Sequence, residues 1–141
     1  NTDSNKLFTS NIRNNYSRLA DALIDENNFL GAEEVLDRCI AITPNNIVPY
    51  NYFNLPIAEG YYRIGKTEKA RKIISILTDI YFDELDYYNS LDEESLKEVQ
   101  RKYQLAGHII SNMYNLTTSY NDEVSKKKIL ELYEQDSFWY R

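Results

Sequence analysis

The sequence offers little that could staple a fold or build a metal centre. Its 141 residues include one cysteine, Cys39, so no internal disulfide framework is available. With a single histidine beside that cysteine, a zinc site built from this chain alone is not expected. Only four glycines and three prolines interrupt it, and 27% of residues are charged, a composition that suits helices. Basic residues are outnumbered: 16 Lys and Arg stand against 22 Asp and Glu, and a formal charge of −6 argues against a nucleic-acid footprint. No stretch approaches the roughly 18 apolar residues of a membrane span, and no signal-peptide pattern is seen. The chain opens on Asn1 rather than Met. We expect a piece of a longer protein, so these missing segments say nothing of where the parent resides. A single domain is expected at this length, able to bury roughly 68% of the surface its unfolded chain exposes.

Chemistry-bearing motifs are missing as well. There is no G-x-S-x-G, P-loop, H-E-x-x-H or C-x-x-C. His108 has no evident nucleophile or orienting acid and reads as an ordinary helix histidine. Cys39 sits where a small packing residue is wanted. The acidic pairs Glu33-Glu34, Glu84/Asp86 and Glu93-Glu94 read as solvated faces or as charges matching helix N-termini. Lys126, Lys127 and Lys128 read as a solvated helix face rather than a phosphate or lipid contact. The expectation is therefore a chain without catalytic residues, metal or cofactor.

What is present is a repeat. Residues 19–40, "LADALIDENNFLGAEEVLDRCI", align with residues 57–78, "IAEGYYRIGKTEKARKIISILT", at a step of 38 residues. Leu19 meets Ile57, Ala20 meets Ala58, Ala32 meets Ala70, Leu36 meets Ile74 and Cys39 meets Leu77. Each copy predicts two helices. Ile12, Tyr16, Leu19 and Leu23 form an apolar stripe on the first, and Ala32, Val35, Leu36, Cys39 and Ile40 on the second. Asn27-Asn28 and Gly65-Lys66-Thr67 supply the breaks, with Gly65 as a C-cap and Thr67 as an N-cap. Pro44 closes the second helix, because the residue before proline leaves the α region.

The order of small and large residues resembles the tetratricopeptide repeat (TPR). The resemblance implies an all-α, right-handed stack of antiparallel helical hairpins: one repeat over about 12–44, a second over about 51–86, and a capping hairpin over about 91–136. In the last, Ser90 with Glu93 predicts a capping box, and Leu96, Val99, Tyr103, Ala106, Ile110, Met113 and Leu116 predict one helix from about 91 to 120. Residues 81–91 are expected to end the fourth helix and turn the chain. Phe138, Trp139 and Tyr140 are expected to dock on the body or face a neighbour. A TPR step is about 34 residues. The surplus of about four falls in "NIVPYNYFNLP", which predicts an extended joint with Pro49 fixing its path and Pro56 in the first turn of the third helix, capped by Asn54.

In TPR proteins the first helices of successive hairpins line a groove that holds an extended peptide or another domain. The resemblance places Asn14, Ser17, Asp21, Ile24 and Asp25 of the first hairpin there, with Tyr52, Leu55, Glu59, Tyr62 and Arg63 of the second. Asp21, Asp25 and Glu59 do not suit an acidic peptide tail, so a basic, neutral or aromatic-rich protein or peptide is the expected partner. The 13 tyrosines, clustered at Tyr50/Tyr52, Tyr61/Tyr62 and Tyr81/Tyr87/Tyr88, fit a recognition surface; a composition bias, seen also in the many Asn, explains them equally well. A narrower likeness rests on "RLADALIDE", "EEVLDRC", "VPYNYFNLPIAEGYYRIGKTEKA" and "ELDYYNSL". Together these resemble the soluble C-terminal segment of the multi-pass DUF2723 proteins of Bacteroidetes, which are similar to protein O-mannosyltransferases. That likeness implies an accessory domain on the periplasmic face of the inner membrane, tied to the membrane only through the upstream part of its parent. A free-standing TPR adaptor or envelope assembly protein is the alternative.

Overall fold

A computed structural model describes residues 2–135. All regular structure among them is helical, with no strand. Seven α-helices occur among the described residues: α1 (Thr2–Asp25), α2 (Phe29–Ile42), α3 (Leu55–Arg63), α4 (Thr67–Asn89), α5 (Glu93–Glu98), α6 (Gln100–Ser119) and α7 (Glu123–Gln135). A 3-10 turn over Tyr52–Asn54 leads into α3. The chain divides into two compact units, Asn1–Ile73 and Ile74–Arg141, with the boundary inside α4. Phe138, Trp139 and Tyr140 lie outside the described residues.

In the first unit α1 packs on both α2 and α3. The aligned small residues lie in the core: Ala20, Ala32, Ala58 and Ala70 are all fully buried, as are Leu36, Cys39 and Ile57. Each such large aliphatic residue contributes about 1.5–3 kcal/mol through burial. Gly60 lets α3 approach α2, since a Cβ there would sit 3.0 Å from Leu36 Cδ1. The expected α1 stripe is displaced. Leu19 is 50% exposed, and the covered residues of α1 are Thr9, Arg13, Ser17, Ala20 and Ile24. The buried face lies one position on from the expected stripe, a turn of about 100° around the helix, and takes small or polar side chains at Thr9, Ser17 and Ala20 beside Arg13 and Ile24. α1 also begins at Thr2, well before Ile12.

Both tight breaks in this unit are one motif. Asn27 (φ 63°) and Gly65 (φ 77°) take the left-handed conformation. Asn28 N–H donates to Leu23 O at 2.8 Å, and Lys66 N–H to Tyr61 O at 2.9 Å, which closes each helix in the Schellman manner. Asn28 then caps α2 by accepting from Gly31 N–H. Thr67 is the first residue of α4 rather than its cap.

In the second unit α6 packs on α7, and Leu77, Leu85, Met113, Thr117 and Ile129 are buried almost completely. The turn between α6 and α7 repeats the motif of the first unit: Asn121 has φ 57°, and Asp122 N–H donates to Thr117 O at 2.9 Å. Asp122 then caps α7, taking the Ser125 N–H at 3.2 Å and the Ser125 hydroxyl at 2.7 Å. The fourth helix ends within residues 81–91, as expected: it runs to Asn89, with Tyr81, Phe82, Leu85 and Tyr88 buried at helical spacing. Two other expectations fail here. The long helix expected from 91 to 120 breaks at Val99, whose N–H bends back to Leu96 O and Lys97 O. No residue of α5 is buried, so packing does not hold it in line with α6. The cap of α5 is Asp92, which accepts from Ser95 N–H at 2.7 Å, instead of the Ser90/Glu93 box.

Candidate functional site

The face expected to bind a partner lies on α1 and α3. Of its ten residues, Asn14, Asp25, Tyr52, Glu59 and Arg63 are exposed, and Asp21 and Leu55 are half-buried. Ser17, Ile24 and Tyr62 are buried at 4%, 7% and 5% exposure, so they belong to the packing of the unit and not to an open surface. The Ser17 hydroxyl is spent on Asn14 O at 3.0 Å. Arg63 reaches across from α3 to α1, donating to Asp21 Oδ1 at 3.0 Å and Asp25 Oδ1 at 3.2 Å. One guanidinium thus meets two carboxylates, and exposed Glu59 adds a third, so the face stays net acidic. Tyr52 lies against the Phe53 ring at 4.6 Å between centroids. This aromatic pair sits at the entry to α3, and Tyr52 remains 44% exposed.

Beside this face the joint between α2 and α3 is organised by a residue that pattern reading passes over. Arg13 is fully buried. Its Nε donates to Thr43 Oγ1 at 3.3 Å, one terminal nitrogen to Pro49 O at 3.2 Å, and the other to Thr43 O and Val48 O, both at 2.9 Å. The Tyr50 ring lies 5.2 Å from its Cζ. Burial lowers the guanidinium pKa, but the group stays charged at any pH the fold meets. Asn51 and Asn54 finish the joint: Asn51 accepts from Phe53 N–H at 3.0 Å, and Asn54 accepts from Asn51 N–H at 3.1 Å. Pro56 falls in the first turn of α3, as expected. No residue type at fixed spacing marks Arg13, which stands in the polar run "NIRNNYS".

The chain matches no protein-family model, no curated protein and no solved structure.

Several other chemistry-bearing side chains are tied into the structure. Tyr61 is buried and donates to Asp37 Oδ1 at 2.7 Å; burial, then that bond, push its phenol pKa up. Lys69 bridges Glu33 and Asp37, each at 2.9 Å. Burial raises the Cys39 thiol, which removes thiolate character. The lysine run divides among three partners: Lys126 lies over the Tyr114 ring at 5.4 Å, Lys127 faces Glu131 at 3.9 Å, and Lys128 reaches Asp79 at 2.8 Å. Among the described residues no group of His, Cys, Asp or Glu is placed to hold a metal ion, and no helix is long and apolar enough to cross a membrane.

Proposed function

We propose that this chain is a non-catalytic, TPR-like module that binds a protein or peptide, with two repeats and a C-terminal capping hairpin. The observation that carries the reading is a repeated joint. Asn27 and Gly65, 38 residues apart, share the left-handed turn and the same closing hydrogen bond, and the aligned alanines around them are fully buried. Packing of α1 on α3 supports a stacked arrangement of first helices. The binding face is the exposed set Asn14, Asp25, Tyr52, Glu59 and Arg63 with half-buried Asp21 and Leu55. Its excess of carboxylates selects a basic, neutral or aromatic-rich segment and disfavours an acidic tail.

By the resemblance to DUF2723 proteins, the module is the periplasmic C-terminal accessory domain of a membrane glycosyltransferase-like parent. It holds an acceptor protein or an assembly partner while the membrane portion carries the chemistry. The test is deletion of residues 1–141 from the parent, with the membrane part still expressed. Loss of acceptor glycosylation is expected. Unchanged glycosylation overturns an acceptor-holding role, and a parent gene without hydrophobic spans overturns the membrane assignment in favour of a free-standing adaptor.

A further inference from the structure

We propose that the groove between the N-terminal half of α1 and the joint after α2 docks an apolar, acidic peptide segment of a partner protein. This is a second surface, beyond the α1–α3 face and opposite to it in charge preference. Phe8 and Ile12 of α1 form one wall, and Ile42, Ile47 and Pro49 form the other. Phe8 is 67% exposed and Ile47 70%, so the walls are open apolar surface gathered in one place rather than scattered singly.

Charge decides what fits. Residues 4–20 and 38–58 contain no Asp or Glu, yet they hold Lys6, Arg13, Arg18 and Arg38. Lys6 lines the groove, and so do Thr43, Val48 and Pro49, the residues Arg13 bonds from below. Every partner of Arg13 is a carbonyl, a hydroxyl or a ring, never a carboxylate. Such dipoles solvate the guanidinium without cancelling its formal charge, and the surrounding low dielectric carries the field toward the groove. A carboxylate between two apolar side chains meets both requirements. A basic apolar segment meets only one and is repelled.

The test uses the whole chain and fluorescence anisotropy with three labelled synthetic peptides: alternating Leu and Glu, alternating Leu and Lys, and alternating Ser and Glu. At the groove, read as the binding lost in Phe8→Ser with Ile47→Ser, the Leu/Glu peptide is expected to bind at least roughly tenfold tighter than the other two, and to weaken as salt rises. Phe8→Ser with Ile47→Ser, both surface changes whose folding is checked by thermal melt, should weaken it roughly tenfold. Lys6→Glu should weaken it roughly fivefold. Glu34→Gln, an exposed carboxylate on neither surface, should leave it unchanged. Equal binding of the Leu/Lys or the Ser/Glu peptide at the groove, lost in the Phe8/Ile47 variant, overturns the proposal, as does an unaffected Phe8/Ile47 variant. Self-association in sedimentation that the Phe8/Ile47 variant abolishes also overturns it, because the occupant is then a second copy. Leu/Lys binding that the Phe8/Ile47 variant leaves intact belongs to the α1–α3 face, so the two readings fail separately.

Discussion

At Asn27, Gly65 and Asn121 the chain reverses within a few residues; between α2 and α3 it runs through residues 43–54 before it is helical again. The tight turns are self-sufficient. Each satisfies its last carbonyls with its own following N–H groups, and each needs only one residue that tolerates positive φ. The long joint is not self-sufficient. Thr43 O, Val48 O and Pro49 O find their donors on a side chain from α1, some 30 or more positions earlier. The joint pairs with itself only in part, with Ile47 N–H and Val48 N–H donating to Pro44 O and Tyr50 N–H to Asn45 Oδ1; the carbonyls left over need a donor brought by tertiary structure, and one guanidinium with a fork of N–H groups supplies several at once.

The strongest test of that contrast is Arg13→Met. It keeps much of the aliphatic volume but leaves three carbonyls without a donor. Urea unfolding should show a loss of about 3–5 kcal/mol. Arg13→Lys should recover only part of this, because an ammonium is a single point and cannot span Thr43, Val48 and Pro49 together. A loss below about 1 kcal/mol for the Met variant would mean the joint supports itself, and the distinction from the tight turns would collapse.

Next in size is Gly60→Ala. The joint delivers α3 onto α2 at a close approach, where the new methyl meets Leu36 Cδ1 at 3.0 Å and Cδ2 at 3.2 Å. Leu36 is fully buried and has little room to yield. Alanine's helix preference, about 1 kcal/mol, is outweighed, and a net cost of about 1–2 kcal/mol is expected in thermal melts. Adding Leu36→Val should return part of it. A stabilised Gly60→Ala protein would show that the docking of α3 is looser than drawn.

The tight turns should respond to backbone conformation alone. A Cβ at Gly65 meets nothing within 4 Å, so Gly65→Ala carries only the strain of φ 77°, about 1–2 kcal/mol. Asn27→Gly should be neutral or gain a few tenths of a kcal/mol. If Gly65→Ala costs nothing, the turn has an alternative closure, and its likeness to the Asn27 turn loses its weight as a repeat signature.

The same contrast explains what could be read from the sequence. Asn27, Gly65 and the alanines at 20, 32, 58 and 70 act through local geometry and close helix contact, and both leave marks in residue type at fixed spacing. The all-helical class followed from them. Arg13 leaves no such mark: a lone arginine inside a polar run, "NIRNNYS", looks like surface. Its neighbours Ile12 and Tyr16 drew the expected stripe one position away from the buried one. The α1–α3 face was legible in Asp21, Asp25 and Arg63, which do meet, because charged residues at helical spacing stay at the surface. Ser17 and Ile24 were misplaced on it for the reason that displaced the stripe: the buried face of α1, which packs on two helices, lies one position on from the expected one. Tyr62, on α3, is buried beside Tyr61 in the packing of the unit.

The smallest expected effect separates the two kinds of joint by pH. Asp92 caps α5, and the Ser95 N–H it accepts holds its carboxyl below the ordinary aspartate range. A carboxyl with a lowered folded pKa contributes its stabilisation in full above the unfolded value of about 3.9 and loses it as pH falls through the folded value. Acid titration should therefore fray α5 first, since none of its residues is buried to hold it. The Ser95 amide resonance should follow the Asp92 carboxyl as it protonates. The α2–α3 joint is fastened by a guanidinium to carbonyls and a hydroxyl, none of which titrates in that range. The amides of Thr43 and Val48 should hold their positions while Ser95 moves. If they move together with Ser95, a carboxylate elsewhere governs the joint, and Arg13 is not the fastening that sets it apart from the tight turns.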